Sequence, residues 1–189
     1  MGIKKLKDIA TVLSGTYQKE ILDGDFLYLQ IKDFTSSHLD KGELHPTIPC
    51  NKSTEKHLLS NKDLLFSAKG TSNFCAIYYE TMGKAIASSS FFIIHITKNI
   101  VIPEFLNWYI NLPRTIKKLQ ANAVGSYTPS ITKEVLNNLN IDIPSITIQQ
   151  KIITLKKLQI EELKLQTQLI GKKEKLYNQI LMNIIKSDK

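Results

Sequence analysis

The hydrophobic pattern of the last forty or so residues predicts one long α-helix. Between Gln149 and Lys186 the chain contains no proline and a single glycine, Gly171. Apolar residues recur there in steps built from three and four, which is the spacing of one helix face. They are Ile152, Leu155, Leu158, Leu165, Leu169, Leu176, Ile180 and Ile184, flanked by Leu163, Ile170, Tyr177 and Leu181. We therefore assign residues 148–189 to a C-terminal helix.

The length of this helix implies a partner. The 38 residues from Gln149 to Lys186 would span about 57 Å at roughly 1.5 Å per residue. We expect so long a helix to project from the domain before it and to bury its apolar stripe against another helix. Glu162 and Lys173 interrupt a strict heptad repeat. Packing against one or two neighbouring helices is therefore favoured over an isolated two-stranded coiled coil.

Residues 1–147 have the pattern of a mixed domain in which strands predominate. Aromatic and β-branched runs predict strands, and prolines and a threonine mark helix starts at Pro103, Pro113 and Thr132. The predicted strands lie at 26–31, 64–67, 75–79, 84–87, 91–97 and 140–143, and a short amphipathic stretch at 6–13 precedes them. The predicted fold class is α+β: a mostly β domain with short helices at 1–147, then one long helix that pairs with another helix.

Composition narrows the class of protein. Hydrophobic residues make up 42% and charged residues 22% of the 189 residues, so a packed core is expected. No apolar run reaches the roughly 18 residues of a membrane span, and the start lacks the apolar segment of a signal peptide. Two distant cysteines and four scattered histidines form no metal-ligand spacing. We expect a cytoplasmic protein with no metal site and no membrane contact.

The net charge of +8 suggests an acidic partner such as nucleic acid. Residues 148–189 contain nine lysines against four acidic side chains, and Arg114 is the only arginine of the chain. This helical excess of positive charge has two interpretations, which remain open: a solvated face, or contact with phosphate or an acidic partner subunit.

Residues that could carry catalysis are missing from the sequence. It contains no phosphate-binding glycine loop and no serine in a nucleophile-elbow context. Asp23 and Asp25 flank Gly24 in a predicted turn, where aspartate commonly bonds to the backbone. The Asn-Pro-Pro-Tyr or Asp-Pro-Pro-Tyr motif of amino-methylating enzymes is also missing. We therefore expect no catalytic residues in this chain.

Several segments together resemble a known family. Residues 5–10 (KLKDIA) with the SGT turn at 14–16 look like the family's opening, and 63–70 (DLLFSAKG) like its strand ending in a glycine loop. Residues 103–110 (PEFLNWYI) and 131–139 fit its later helices, and 143–152 (IPSITIQQKI) its junction into a helix. In this order the segments resemble the specificity subunit of type I restriction-modification systems, as one target-recognition domain followed by one conserved helix.

The resemblance implies a non-catalytic reader of double-stranded DNA. Full-length relatives carry two recognition domains and two helices that pair antiparallel, and modification (methyltransferase) subunits dock on that scaffold. Half-length relatives restore this architecture by homodimerising. A homodimer through the stripe of the C-terminal helix is therefore expected, reading an interrupted palindrome. S-adenosylmethionine is expected on the partner methyltransferase and no cofactor on this chain; whether a restriction subunit also takes part is left open.

Polar loops after strands, or around a glycine, supply the candidate DNA contacts. Lysines would bind phosphates and the other side chains would read base edges. The candidates are Lys32, Asp33, Lys69, Thr71, Ser72, Asn73, Ser126 and Tyr127. For each of them the alternative is an ordinary solvent-exposed loop residue.

Two other functions remain open. A truncated or degenerate relative would act as a helical interaction module that reads no DNA. The least favoured alternative is an enzyme such as a nuclease, which metal-dependent cleavage by the purified chain alone would support.

Overall fold

A computed structural model of the chain describes residues 2–35, 38–39, 44–70, 72–125 and 129–187. It confirms the predicted mixed α+β class with one long C-terminal helix. The strands are β1 (Gly2–Lys5), β2 (Ala10–Ser14), β3 (Leu27–Leu29), β4 (Phe34–Thr35), β5 (His38–Leu39), β6 (Leu64–Ser67), β7 (Cys75–Ile77), β8 (Ala85–Ala87), β9 (Phe91–Ile96) and β10 (Asn140–Ile143). The helices are α1 (Lys52–Glu55), α2 (Pro103–Ile110), α3 (Pro113–Gln120), α4 (Lys133–Asn137) and α5 (Ile146–Ser187).

A four-stranded antiparallel sheet in the order β2–β9–β6–β7 forms the centre of the domain. Leu65 pairs with Ile93 on one side and Ala76 on the other, and all three side chains are buried in one hydrophobic cluster. Phe74 and Phe91 belong to the same cluster and pack with their rings edge to face. Aromatic and aliphatic residues of the predicted strands thus form the core.

The remaining strands pair across long stretches of sequence. β1 pairs antiparallel with β10, which joins the two ends of the domain. β3 pairs in parallel with β8, and β4 with β5 as a small antiparallel pair. Although β7 and β8 are joined by a short connection, they do not form a hairpin, because β7 pairs with β6.

The structure defines three local features more closely. The stretch 6–13 is a 3₁₀ turn at Leu6–Asp8 followed by β2, in which alternate residues are buried. The short elements β1 and α1 lie in stretches for which the sequence pattern predicts no strand or helix. The long helix begins at Ile146, earlier than the expected residue 148. Ser145 is the reason, since its Oγ accepts the Ile148 N–H (3.3 Å) and its carbonyl accepts the Gln149 N–H (2.9 Å).

Gln149 fixes the first turn of α5. Its side chain is fully buried. The Oε1 accepts the Ile102 N–H at 2.8 Å, and the Nε2 donates to the Ile100 and Pro144 carbonyls at 2.9 Å each. These bonds satisfy the buried amide completely in a region where an unpaired polar group would be costly.

The chain divides into two compact units whose boundary lies between Gln149 and Gln150. Within the second unit, α5 continues without interruption through Gly171 to Ser187. None of the described helices is long and apolar enough to cross a membrane.

Candidate nucleic-acid interface

The glycine loop after β6 is held by its own polar side chains. The buried Ser67 Oγ donates to the Ser72 carbonyl (3.2 Å) and accepts the Phe74 N–H (3.0 Å). Gly70 has a φ of +81°, a conformation that favours glycine. Lys69 is exposed beside it. The loop therefore presents a cation from a fixed backbone.

Asn73 holds this loop in place. Its Nδ2 donates to the Ser67 carbonyl (2.9 Å), and its Oδ1 accepts from Gln120 Nε2 at the end of α3 (3.0 Å). Both ends of the amide are therefore engaged within the domain. Of the remaining candidates here, Ser72 is exposed, whereas Thr71, Ser126 and Tyr127 lie outside the described residues.

Lys32 and Asp33 lie in a 3₁₀ turn after β3 and have different roles. Lys32 is exposed. The Asp33 Oδ2 accepts the Gln30 N–H at 2.7 Å, so this carboxylate caps the turn. Partial burial raises the pKa of Asp33 above its usual value, and the bond from Gln30 opposes that rise.

A surface cleft of about 420 Å³ opens beside this turn. Three segments line it: 17–20 together with Tyr28, 30–32, and the triple serine 88–90. Gln30 Nε2 donates to Glu20 Oε1 (2.6 Å), and Thr47 Oγ1 donates to Glu20 Oε2 (3.0 Å). Apart from Lys32, none of these residues was singled out in the sequence. Only the run of serines gave a local signal, because segments distant in sequence form the cleft.

Gly15 sets the position of the segment at the edge of the cleft. A Cβ at this position would lie 2.0 Å from the Ser88 carbonyl oxygen, a distance that no side chain tolerates. The Gly15 N–H donates to the Phe91 carbonyl (2.9 Å). Tyr28 Oη then donates to the Thr16 carbonyl (3.0 Å) and accepts the Gln18 N–H (3.2 Å). Burial is the main cause that raises the pKa of Tyr28, which therefore stays protonated at neutral pH.

The structure places the cleft next to the glycine loop. Ser90 lines the cleft, and its carbonyl accepts the N–H of Ala68, the residue before Lys69, at 3.1 Å. Lys32 and Lys69, chosen from separate parts of the sequence, therefore belong to neighbouring polar segments. Cationic side chains around hydrogen-bonding groups suit a phosphate backbone and base edges.

The apolar face of α5 is the second candidate interface. Leu155, Leu158, Leu165, Leu169, Leu176, Ile180 and Ile184 are 45–67% exposed, and Ile152 is half-buried. At about 100° per residue, the eight positions fall within an arc of about 140°. Leu163, Ile170, Tyr177 and Leu181, which lie within this arc or about 20° beyond its edge, are exposed as well. An apolar surface of this length, interrupted only by a few polar residues such as Glu162 and Lys173, is typical of a protein-interaction face.

Groups suited to catalysis are sparse among the described residues. In that part of the chain, no three His, Cys, Asp or Glu side chains come together as metal ligands. His95 Nδ1 lies 2.8 Å from Asp63 Oδ1, and Asp63 Oδ2 accepts the Ser60 N–H (2.8 Å). Asp63 precedes β6, whereas the glycine loop follows it, so this pair lies at the other end of the strand. The pair is a hydrogen bond that links the start of β6 to β9.

Comparison with known families decides the relationship. A sequence model described as "Type I restriction modification DNA specificity domain" matches residues 1–174. The chain belongs to this family. A search of curated proteins gave no match.

Solved specificity subunits share the fold of this domain. The type I restriction-modification S subunit of M. genitalium is 13% identical with a TM-score of 0.60, over 86% of this chain and 39% of that chain. The HsdS subunit of Thermoanaerobacter tengcongensis is 16% identical with a TM-score of 0.59, over 86% of this chain and 42% of that one. A third chain comes from work on complex assembly and conformational transition of the type I R-M system. It is 15% identical with a TM-score of 0.62, over 87% of this chain and 40% of that chain.

This specificity-domain chain spans about two fifths of the length of the subunits it matches. The region in common covers most of this chain. At these identities the likeness shows a common fold.

Proposed function

We propose that the chain is a non-catalytic, sequence-specific DNA-recognition subunit of a type I restriction-modification system. It directs a partner methyltransferase to a bipartite DNA site. S-adenosylmethionine chemistry resides on that partner. The observation that carries this proposal is the specificity-domain match over residues 1–174, which includes both the polar cleft and most of the exposed helix face.

Two copies of the chain supply the two halves of the site. The chain has one recognition domain and one long helix whose apolar stripe is exposed. A two-fold dimer through that stripe places two identical readers on one DNA, so the target is an interrupted palindrome. The separation of the two half-sites follows from the length of the paired helices.

Binding of DNA is tested with the purified full chain and a random duplex library. The expected result is enrichment of one motif, because loop side chains of fixed geometry distinguish base edges. A chain that assembles without enriching any motif would instead be the helical interaction module that reads no DNA.

The phosphate contacts of this surface are tested by removing two lysines. Lys32→Ala combined with Lys69→Ala should lower the slope of log affinity against log salt by about 3.6 for the bound dimer, because the two copies together lose four phosphate contacts and each contributes about 0.9. The measurement is a titration of duplex DNA at several salt concentrations. The matched control is Lys52→Ala with Lys133→Ala, two exposed lysines on α1 and α4. Equal slopes for both double variants would contradict the proposed surface.

A further inference from the structure

Gln30 is fixed by hydrogen bonds from both its backbone and its side chain. Its N–H donates to Asp33 Oδ2 (2.7 Å), and its Nε2 donates to Glu20 Oε1 (2.6 Å). Glu20 is itself fixed, because its second oxygen accepts from Thr47 Oγ1 at 3.0 Å. Backbone and side chain of Gln30 are therefore both positioned at the wall of the cleft.

The carboxylate of Glu20 determines which end of the Gln30 amide faces it. An ionised carboxylate only accepts hydrogen bonds, so the NH₂ group must point towards it. The Asp33 N–H donates to the main-chain carbonyl of Gln30 (3.1 Å), so the turn leaves the side-chain oxygen unused. Among the described residues, Gln30 Oε1 and the second N–H of Nε2 have no partner. An acceptor and a donor thus lie side by side in a fixed order.

Adenine presents the complementary pattern. In the major groove its N6 amino group donates and its N7 accepts, and a glutamine amide can bond to both at once. A freely rotating glutamine would offer either order of donor and acceptor. The Glu20 contact fixes one order, so the amide is prearranged to bond to N6 and N7 of an adenine in one orientation.

Ser88 provides an independent sign that the cleft takes a polar ligand. It lines the cleft and is only 6% exposed. Its buried Oγ makes no hydrogen bond within the described part of the chain. Buried hydroxyls are normally paired, and a polar edge entering the cleft would supply the missing partner. Lys19 and Lys32, both exposed at the cleft, favour a ligand that carries phosphates.

We propose that Gln30 is a specificity-determining residue that reads the adenine of one A·T base pair in each half-site. Glu20 is a positioning residue that fixes the Gln30 amide. The inference rests on the proposed function, since it names the base read by the same surface.

The test repeats the selection from random duplex DNA with the full chain. In Gln30→Ala, the preference for A·T at one position of each half-site should fall roughly 5- to 150-fold, while the other positions keep their preferences. Gln30→Met, which keeps the length of the side chain without its hydrogen bonds, should give the same loss if the alanine variant folds poorly. Glu20→Gln should give a smaller loss at the same position, because the amide is no longer held in one order. A purely structural role would instead weaken binding to all sequences alike.

Gln168→Ala is the matched control. Gln168 is exposed on α5 and lies outside the arc of the apolar face, so this variant removes a glutamine amide away from both the cleft and the proposed dimer contact. It should leave every base preference unchanged. Unchanged preferences in Gln30→Ala, or a loss at a G·C position, would overturn the inference while leaving the proposed function standing. A wild-type chain that selects no motif would overturn the proposed function, and the inference with it.

Discussion

Gln149 and Gln150 are neighbours in α5, yet they belong to two regions that differ in how far their side chains are buried. Gln149 is fully buried and makes three hydrogen bonds, whereas Gln150 is exposed. Before this boundary, most large apolar side chains pack inside the domain, and the buried polar side-chain atoms of the described residues are paired except Ser88 Oγ and Glu104 Oε2. Beyond it, leucines and isoleucines are exposed along a single helix. The domain has a buried core of its own, whereas the apolar face of the helix is exposed. This difference is expected if the domain binds DNA and the helix binds a partner, as proposed above.

The two regions also treat glycine differently. A side chain at Gly15 would collide with the Ser88 backbone, while a Cβ at Gly171 would meet nothing within 4 Å. Packing against the Ser88 backbone therefore requires glycine at position 15. In the helix, only the intrinsic preference of the backbone opposes glycine.

The largest effect is expected from placing charge on the apolar face of α5. Leu165→Glu combined with Leu169→Glu should weaken self-association more than 100-fold, because each change buries an unpaired carboxylate in the expected dimer contact. Sedimentation velocity at micromolar concentration measures the effect. Thr167→Glu with Asn178→Glu adds the same charge to the opposite side of the helix and should leave the dimer intact. A wild-type chain that is monomeric at that concentration, alone and with the methyltransferase, would contradict the dimer.

Substitutions of Gln149 and Gln150 test where the boundary between the two regions lies. Gln149→Ala leaves the Ile102 N–H and two carbonyls without their partner, which should lower the free energy of unfolding by about 2–3 kcal/mol. Urea unfolding followed by the fluorescence of Trp108, the single tryptophan, reports on the adjacent helix α2. Gln150→Ala should change stability by less than about 0.5 kcal/mol. Equal losses from both variants would show that the boundary is misplaced.

The smallest expected effect concerns Gly171. Gly171→Ala should stabilise the helix by about 0.5–1 kcal/mol, since alanine has the higher helix propensity and the added methyl group has open space. The thermal midpoint of the assembled protein at fixed concentration measures this gain. A decrease would instead place the backbone of a partner close to Gly171.

The sequence predicted the parts of the fold that depend on local pattern. α5 was recognised because its apolar spacing persists for many turns, and β6 and β9 because their residues are aromatic or branched. The pairing of β3 with β8 and of β1 with β10 was not predicted, since such contacts join segments far apart along the chain. The start of α5 lies at Ile146 and not at the expected residue 148, because Ser145 caps the helix.

The candidate site was predictable only in part, for the same reason. Lys32 and Lys69 were identified because exposed lysines next to turns and glycines are a local signal. The Glu20–Gln30 contact and the cleft around it require the loop 17–20, the turn after β3 and the serines 88–90 to meet in space. The engagement of Asn73 with Gln120 likewise became visible only in the folded chain.

Mapping methylated motifs in cells that contain the methyltransferase, with and without this chain, tests the central claim most directly. If two copies joined through α5 each present one recognition domain, methylation that depends on the chain should fall on an interrupted palindrome with identical half-sites. An asymmetric motif, or no motif that depends on the chain, would contradict the account.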